Sequence, residues 1–187
     1  MFQSLGQYDK AKEYLEKGLG IRKQIGDKEG EAADYGNLAV LYSSVGEFVA
    51  AEYYSQVALS IAGDIKDLQK EFENLCLLTI VKLGQNKVEE AFDCLLLSMN
   101  KSESLRSFLR SNDDFKVSSS DARDFPYRGL SAFFCAWGNS KNGLYVLELA
   151  RARALADLMS SQYSVESQIS ADPQTWSGIE NIMEKRK

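Results

Sequence analysis

The chain has 187 residues, with 22 Lys or Arg, 27 Asp or Glu and no His. The absence of His excludes a Ser-His-Asp triad, a Cys-His dyad and every His-ligated metal site within these residues. The formal net charge of −5 disfavours duplex nucleic acid as a partner, because phosphate binding needs a concentrated excess of Lys and Arg.

The remaining composition is typical of a soluble, folded chain, with 44% hydrophobic and 26% charged residues. No apolar run approaches the roughly 20 residues that cross a membrane, and the first residues lack the apolar stretch of a signal peptide. Three scattered Cys fit a reducing compartment better than a disulfide framework. We therefore predict a cytoplasmic location and no membrane partner.

In chain order, the first informative feature is an internal repeat. A glycine and a later alanine recur three times, and the alanines Ala11, Ala51 and Ala91 are 40 residues apart. Five residues separate Gly46 from Ala51, whereas seven separate Gly84 from Ala91, which predicts a turn lengthened by two residues in the third unit. A weaker fourth copy contains Gly138 and, five residues later, Gly143.

Each unit is predicted to form a helical hairpin. Apolar residues recur at helical spacing before and after Gly46, where the chain must reverse and a positive φ is favoured. Two further pairs, Gly26-Asp27 and Gly63-Asp64, predict the opposite turns, with glycine ending one helix and aspartate capping the next. Proline is absent before Pro126, which suits an unbroken succession of helices.

The second unit resembles the tetratricopeptide repeat (TPR) at nearly every signature position: Tyr35, Leu38, Ala39, Tyr42, Gly46, Phe48, Ala51 and Ala58. The last unit is also similar, through Tyr127, Leu130, Ser131, Phe134, Gly138, Gly143, Leu147 and Ala150. A looser match involves Cys76, Leu77, Ile80, Gly84, Ala91 and Leu95. The resemblance implies an all-α fold, a right-handed α-solenoid of antiparallel helical hairpins.

The segment from Gly143 to Glu180 resembles the end of the TPR array in tetratricopeptide repeat protein 28-like chains, where a CHAT domain with a caspase-like fold follows. The resemblance implies that this chain is a fragment of a longer protein. The expected division begins with the second helix of a truncated repeat at 1–26, a repeat at 27–63, and a repeat at 64–110 whose second helix is extended. An acidic Ser-rich loop at 111–124, a TPR-like hairpin at 125–163 and a connector toward a CHAT-like domain at 164–187 follow.

In TPR arrays generally, the first helices of successive hairpins line a concave groove that holds a peptide. The resemblance marks as groove residues Asn37, Val40, Ser44, Glu71, Asn74, Leu78, Lys82 and Arg128. An Asn amide can both donate to and accept from a peptide backbone, and the charged members would select partner charges. The alternative is that these are ordinary solvent-exposed helix residues.

We therefore predict a non-catalytic scaffold that binds a peptide or a partner domain, without a cofactor or a metal. The alternative function is a regulatory arm of a CHAT-type peptidase whose catalytic domain lies outside this chain, and that adjacent domain would then be a partner. A third possibility is self-association through the apolar face of the first helix.

Overall fold

The computed structural model describes the backbone of residues 2–111 and 124–163 and the side chains of residues 8–105 and 124–152. The described backbone is helical and is interrupted only by short turns. The helices are α1 Phe2–Ile25, α2 Lys28–Ser44, α3 Phe48–Asp64, α4 Leu68–Gly84, α5 Val88–Ser111, α6 Phe125–Ala136 and α7 Ser140–Tyr163. The predicted all-α, TPR-type solenoid of antiparallel hairpins is confirmed.

The chain forms two compact units, residues 1–146 and residues 147–187. In the first unit, α2 pairs with α3 and α4 with α5, α3 packs on α4, and α2 also touches α4 directly. In the second unit, the described side chains include the ion pair of Glu148 and Arg151, at 2.8 Å. The predicted Ser-rich loop and the connector fall on residues 112–123 and 164–187, outside the described residues.

Small residues allow the two helices of each hairpin to approach closely. Ala39 on α2 and Ala51 and Ala58 on α3 are completely buried. In the next hairpin Thr79, Ala91 and Ser98 stand 40 residues further on and are equally inaccessible. Large side chains such as Leu38 and Phe72 then fill the space between hairpins, as expected for stacked helical repeats.

The turns follow the 40-residue interval more closely than the glycines do. Gly26 and Gly46 have positive φ, as predicted, and the residues 40 positions later, Lys66 and Asn86, also adopt φ values of 58° and 62°. The predicted two-residue lengthening of the turn after α4 is therefore wrong. Asn86 takes the conformation of Gly46, because Asn tolerates the left-handed region better than most residues.

Two glycines consequently have other roles than those predicted. Gly84 is the last residue of α4, and a Cβ there would lie 2.4 Å from the ring of Phe48, so its lack of a side chain permits a close approach between helices. Gly63 and Asp64 lie inside α3, and the helix cap is supplied by Asp67, whose carboxylate accepts from the backbone N–H of Lys70 at 3.0 Å. The Asp27 cap is confirmed, with Gly30 N–H donating at 2.8 Å.

Aromatic rings fill the junction that α1, α2 and α3 form, which we call the aromatic junction. The ring of Tyr42 stacks on Tyr54 with centroids 5.2 Å apart, and Tyr8 meets Tyr42 edge-on at 6.1 Å. Tyr35 stacks on the same Tyr54 at 6.1 Å. Lys12 lies over the Tyr42 ring at 5.6 Å, so cations border this junction without entering it.

The next junction, among α3, α4 and α5, contains ions in the corresponding place, and we call it the ionic junction. The Lys82 ammonium pairs with the carboxylates of Glu52 and Glu90, and the Gln85 amide donates to Glu52 at 2.7 Å. Burial lowers the pKa of Lys82, but its bonds to the two carboxylates outweigh this and raise it above its ordinary value. The Lys82 and Gln85 bonds hold the pKa of Glu52 below its ordinary value.

Candidate functional site

An open cleft lies between α2 and α4, the first helices of two successive hairpins. Its volume is about 190 Å³. The lining residues are Ala32, Ala33, Gly36, Asn37, Val40, Lys70, Glu73, Asn74 and Leu77. Small-molecule pockets usually measure roughly 300–1,000 Å³, so a cleft of this size fits one side chain rather than a cofactor.

The middle of the cleft is polar. Asn74 is 6% exposed, and its side-chain amide donates to the backbone carbonyl of Lys70 at 2.9 Å, which fixes the orientation of the carboxamide. Gly36 stands opposite: a Cβ at Gly36 would lie 3.5 Å from the Asn74 carboxamide oxygen. The Asn37 side chain, in contrast, is exposed at the mouth of the cleft.

The two ends of the cleft differ in chemistry. Near the N-termini of α2 and α4, Lys70 Nζ lies 3.5 Å from Asp67 and 3.8 Å from Glu29, whose carboxylate is 74% exposed. The exposed Glu73 carboxylate adds a further negative charge at this end. Toward the C-termini of the two helices the lining is apolar, with Val40 55% exposed.

Of the eight groove residues predicted from the sequence, the cleft brings together Asn37, Val40 and Asn74. Ser44 is exposed at the end of α2, where its hydroxyl donates to the carbonyl of Leu41 at 2.7 Å. Glu71 pairs with Lys101 of α5 at 2.7 Å, which engages it within its own hairpin. Arg128 is exposed on α6 and does not line the cleft.

The predicted groove positions of Leu78 and Lys82 are wrong. Leu78 is 4% and Lys82 7% exposed, and Lys82 is a member of the ionic junction. The cause is the two-residue insertion wrongly assumed for this unit. Without it, the 40-residue interval makes Leu78 equivalent to Leu38 and Lys82 equivalent to Tyr42, which are positions between hairpins.

Sequence reasoning missed most of the α4 wall and part of the α2 wall. The missed lining residues are Ala32, Ala33, Gly36, Lys70, Glu73 and Leu77. The repeat itself contained a signal for two of them, because adding 40 to Ala33 and Asn37 leads to Glu73 and Leu77. The sequence offers no comparable signal for Lys70 and Gly36, because they line the cleft only through the way in which α4 packs against α2.

Comparison with known proteins agrees with this architecture. Residues 1–64 match the family model described as tetratricopeptide repeat. The match covers α1, α2 and α3 and, together with the hairpins that continue the array, supports a TPR protein. None of the curated proteins matches the chain.

Tetratricopeptide repeats generally mediate protein–protein interactions, and their stacked helices build extended binding surfaces. An all-helical array of this kind is typically non-catalytic. Within residues 2–111 and 124–163, no helix is long and apolar enough to cross a membrane. Over the same described residues, no group of three acidic or Cys side chains is placed to hold a metal ion.

Proposed function

We propose that this chain is a protein-interaction scaffold that binds an extended segment of a partner protein in the cleft between α2 and α4. The observation that supports the proposal most directly is the cleft itself, where two successive first helices leave exposed apolar and polar groups side by side. Val40 offers apolar surface, and the Asn37 amide can both donate to and accept from a peptide backbone.

The small volume of the cleft favours a peptide over a compact ligand. A cleft of about 190 Å³ takes one anchoring side chain, while the rest of an extended segment would pass along the exposed faces of α2 and α4. Ile80 is 46% exposed and stands 40 residues after Val40, so apolar contact could continue along α4.

A matched pair of valine substitutions tests the proposal. Val40→Lys places a charged side chain in the cleft, whereas Val49→Lys places the same side chain on α3 at a position that is 80% exposed. We expect partners recovered by the full chain, quantified by mass spectrometry against both variants, to be lost with Val40→Lys and retained with Val49→Lys. Helicity and thermal midpoint should be equal in the three proteins.

The result against the proposal is also clear. If both variants recover the same partners in the same amounts as the unmodified chain, binding does not use the cleft. A loss with Val49→Lys alone would instead assign binding to the outer face of α3. Each result can be verified with one recovered partner by measuring Kd with purified components.

The finer sequence predictions are retained as parts of this proposal. An association with a CHAT-like domain, as scaffold or as regulatory arm of a peptidase, rests on the resemblance of residues 143–180. A cytoplasmic location rests on the scattered cysteines. Among them, burial raises the pKa of the Cys76 thiol to about 12, and an un-ionised thiol of this kind is chemically inert.

A further inference from the structure

The inner part of the α2–α4 cleft offers acceptors to a ligand and one donor that is already engaged. The Asn74 carboxamide donates to the Lys70 carbonyl, and its oxygen accepts no hydrogen bond from the described part of the chain. This side chain is more than nine-tenths buried and its oxygen points toward Gly36 across the cleft. This acceptor faces the open cleft, where a ligand or water can donate to it.

Carboxylates extend this set of acceptors toward the N-termini of α2 and α4. Glu73 and Lys70 line this end of the cleft, and the Lys70 ammonium lies within ion-pair distance of the Glu29 and Asp67 carboxylates. Lys70 lies 3.5 Å from Asp67, so its charge is compensated there, and Glu29 and Glu73 remain as excess negative charge. Glu73 also accepts a bond from the Gln69 amide at 2.6 Å, which helps to orient its carboxylate.

We infer that the cleft receives an arginine side chain of the partner segment, an inference that rests on the proposed function. Arginine has five N–H donors in a planar fork and no acceptor, which complements the Asn74 oxygen and the Glu73 carboxylate together. Its aliphatic stem is apolar and lies well on the exposed surfaces of Val40 and Leu77. An acidic side chain would be repelled by the Glu73 carboxylate and would meet a second acceptor in the Asn74 oxygen. The Lys70 ammonium that could attract it is already paired with Asp67.

A lysine side chain of the partner would complement the α2–α4 cleft less well than an arginine side chain. Its ammonium is a compact, strongly hydrated charge, whereas the acceptors in the cleft are a neutral amide oxygen and carboxylates at separate positions. A fork can reach two such acceptors at once. The resident Lys70 ammonium also repels a second concentrated charge more strongly than a delocalised guanidinium.

Peptide selection on the intact chain tests this inference. A phage-displayed library of random peptides, about 12 residues long, is selected on the full chain after depletion on the Val40→Lys variant, whose added cation occupies the cleft and repels a guanidinium, so that only cleft-dependent sequences remain. We expect one arginine position to be enriched. The best sequence is then synthesised with arginine and with citrulline, which has the same shape without the charge, and we expect citrulline to raise Kd by about tenfold or more.

A double-mutant cycle connects the arginine to its predicted acceptor. Glu73→Gln should weaken the arginine peptide about twofold to fivefold and leave the Kd of the citrulline peptide unchanged. Glu89→Gln, at an exposed position on α5, is the matched control and should change neither Kd. Because Glu73 and Glu89 are both exposed, neither substitution is expected to affect folding.

The possible failures are distinguishable. Cleft-dependent peptides that enrich another residue, lysine included, or that bind equally well with citrulline would overturn the arginine inference while the proposed function stands. An unchanged Kd of the arginine peptide with Glu73→Gln would overturn it in the same way. If the Val40→Lys variant depletes every peptide that the unmodified chain selects, no selected peptide uses the cleft, which overturns both proposals.

Discussion

The aromatic junction and the ionic junction occupy equivalent places in successive repeats and use opposite chemistry. At the first, Tyr42 stacks on Tyr54 and meets Tyr8; at the second, the residue 40 positions after Tyr42 is Lys82, paired with Glu52 and Glu90. The helices still pair in the same way on both sides. The geometry of the repeat therefore requires that this space be filled, and it accepts either apolar rings or compensated charges.

The stability of the aromatic junction and that of the ionic junction depend differently on pH. Stacked rings gain from buried area and ring geometry, which pH between 3 and 8 does not change appreciably. A buried ammonium is favourable only while its carboxylate partners are ionised, because an uncompensated buried charge is costly. The four predictions below, from the largest expected effect to the smallest, test this difference.

The largest effect is expected from removing the central ring of the aromatic junction. Tyr42→Ala leaves a cavity beside Tyr54 and Tyr8 and should lower the free energy of unfolding by about 2–4 kcal/mol. Urea unfolding followed by circular dichroism measures it. Tyr14→Ala is the control, because Tyr14 is 74% exposed and should change stability by no more than about 0.5 kcal/mol. Equal effects of the two substitutions would contradict the proposed role of the stacked rings.

A smaller loss is expected when the ionic junction loses its ammonium. Lys82→Met keeps the length of the side chain but leaves Glu52 and Glu90 facing each other, and should cost about 1–3 kcal/mol. Lys87→Met is the control, since Lys87 is 44% exposed and lies 3.5 Å from Glu52, so its loss should cost less than about 1 kcal/mol. If Lys82→Met proves neutral or stabilising, the ion pair does not contribute to the native state.

Acid should weaken the ionic junction selectively. The folded pKa of Glu52 lies below its ordinary value of 4.5, so its contribution is present above that value and is lost as pH falls through the folded pKa. The stability difference between the unmodified chain and Glu52→Gln should therefore shrink between about pH 6 and pH 3. The difference produced by Tyr42→Ala should stay constant over the same range. A difference for Glu52→Gln that is independent of pH would argue against the ionised pair.

The smallest effect is expected at the turns. Lys66 has a φ of 58° in the place that Gly26 occupies one repeat earlier, so Lys66→Gly should stabilise the chain by about 0.5–1 kcal/mol by relieving backbone strain. Asn86→Gly should gain less, because Asn tolerates this conformation. Thermal midpoints of the two variants measure the difference. A destabilising Lys66→Gly would mean that the Lys66 side chain makes a compensating contribution.

Much of the fold could be predicted from the sequence, because a hydrophobic period of 3.6 residues and an alanine every 40 residues describe helices and their pairing directly. The signature residues Leu38, Ala39, Ala51 and Ala58 are indeed fully buried. Sequence analysis predicted the lining residues Asn37 and Val40 on α2 but only Asn74 on α4. On α4 the prediction followed Gly84 as a turn marker, although the turn residue is Asn86 and Gly84 belongs to a helix contact.

The local pattern of residues was thus sufficient for the helices, their order and the hairpins, since these depend on periodicity, caps and small residues within a few turns of the chain. Only tertiary packing decided that a lysine could replace a tyrosine between hairpins, because carboxylates from α3 and α5 meet it there. Tertiary packing also determines the cleft. Gly36 on α2 and Asn74 on α4 face each other there, and their proximity cannot be predicted from their spacing along the chain.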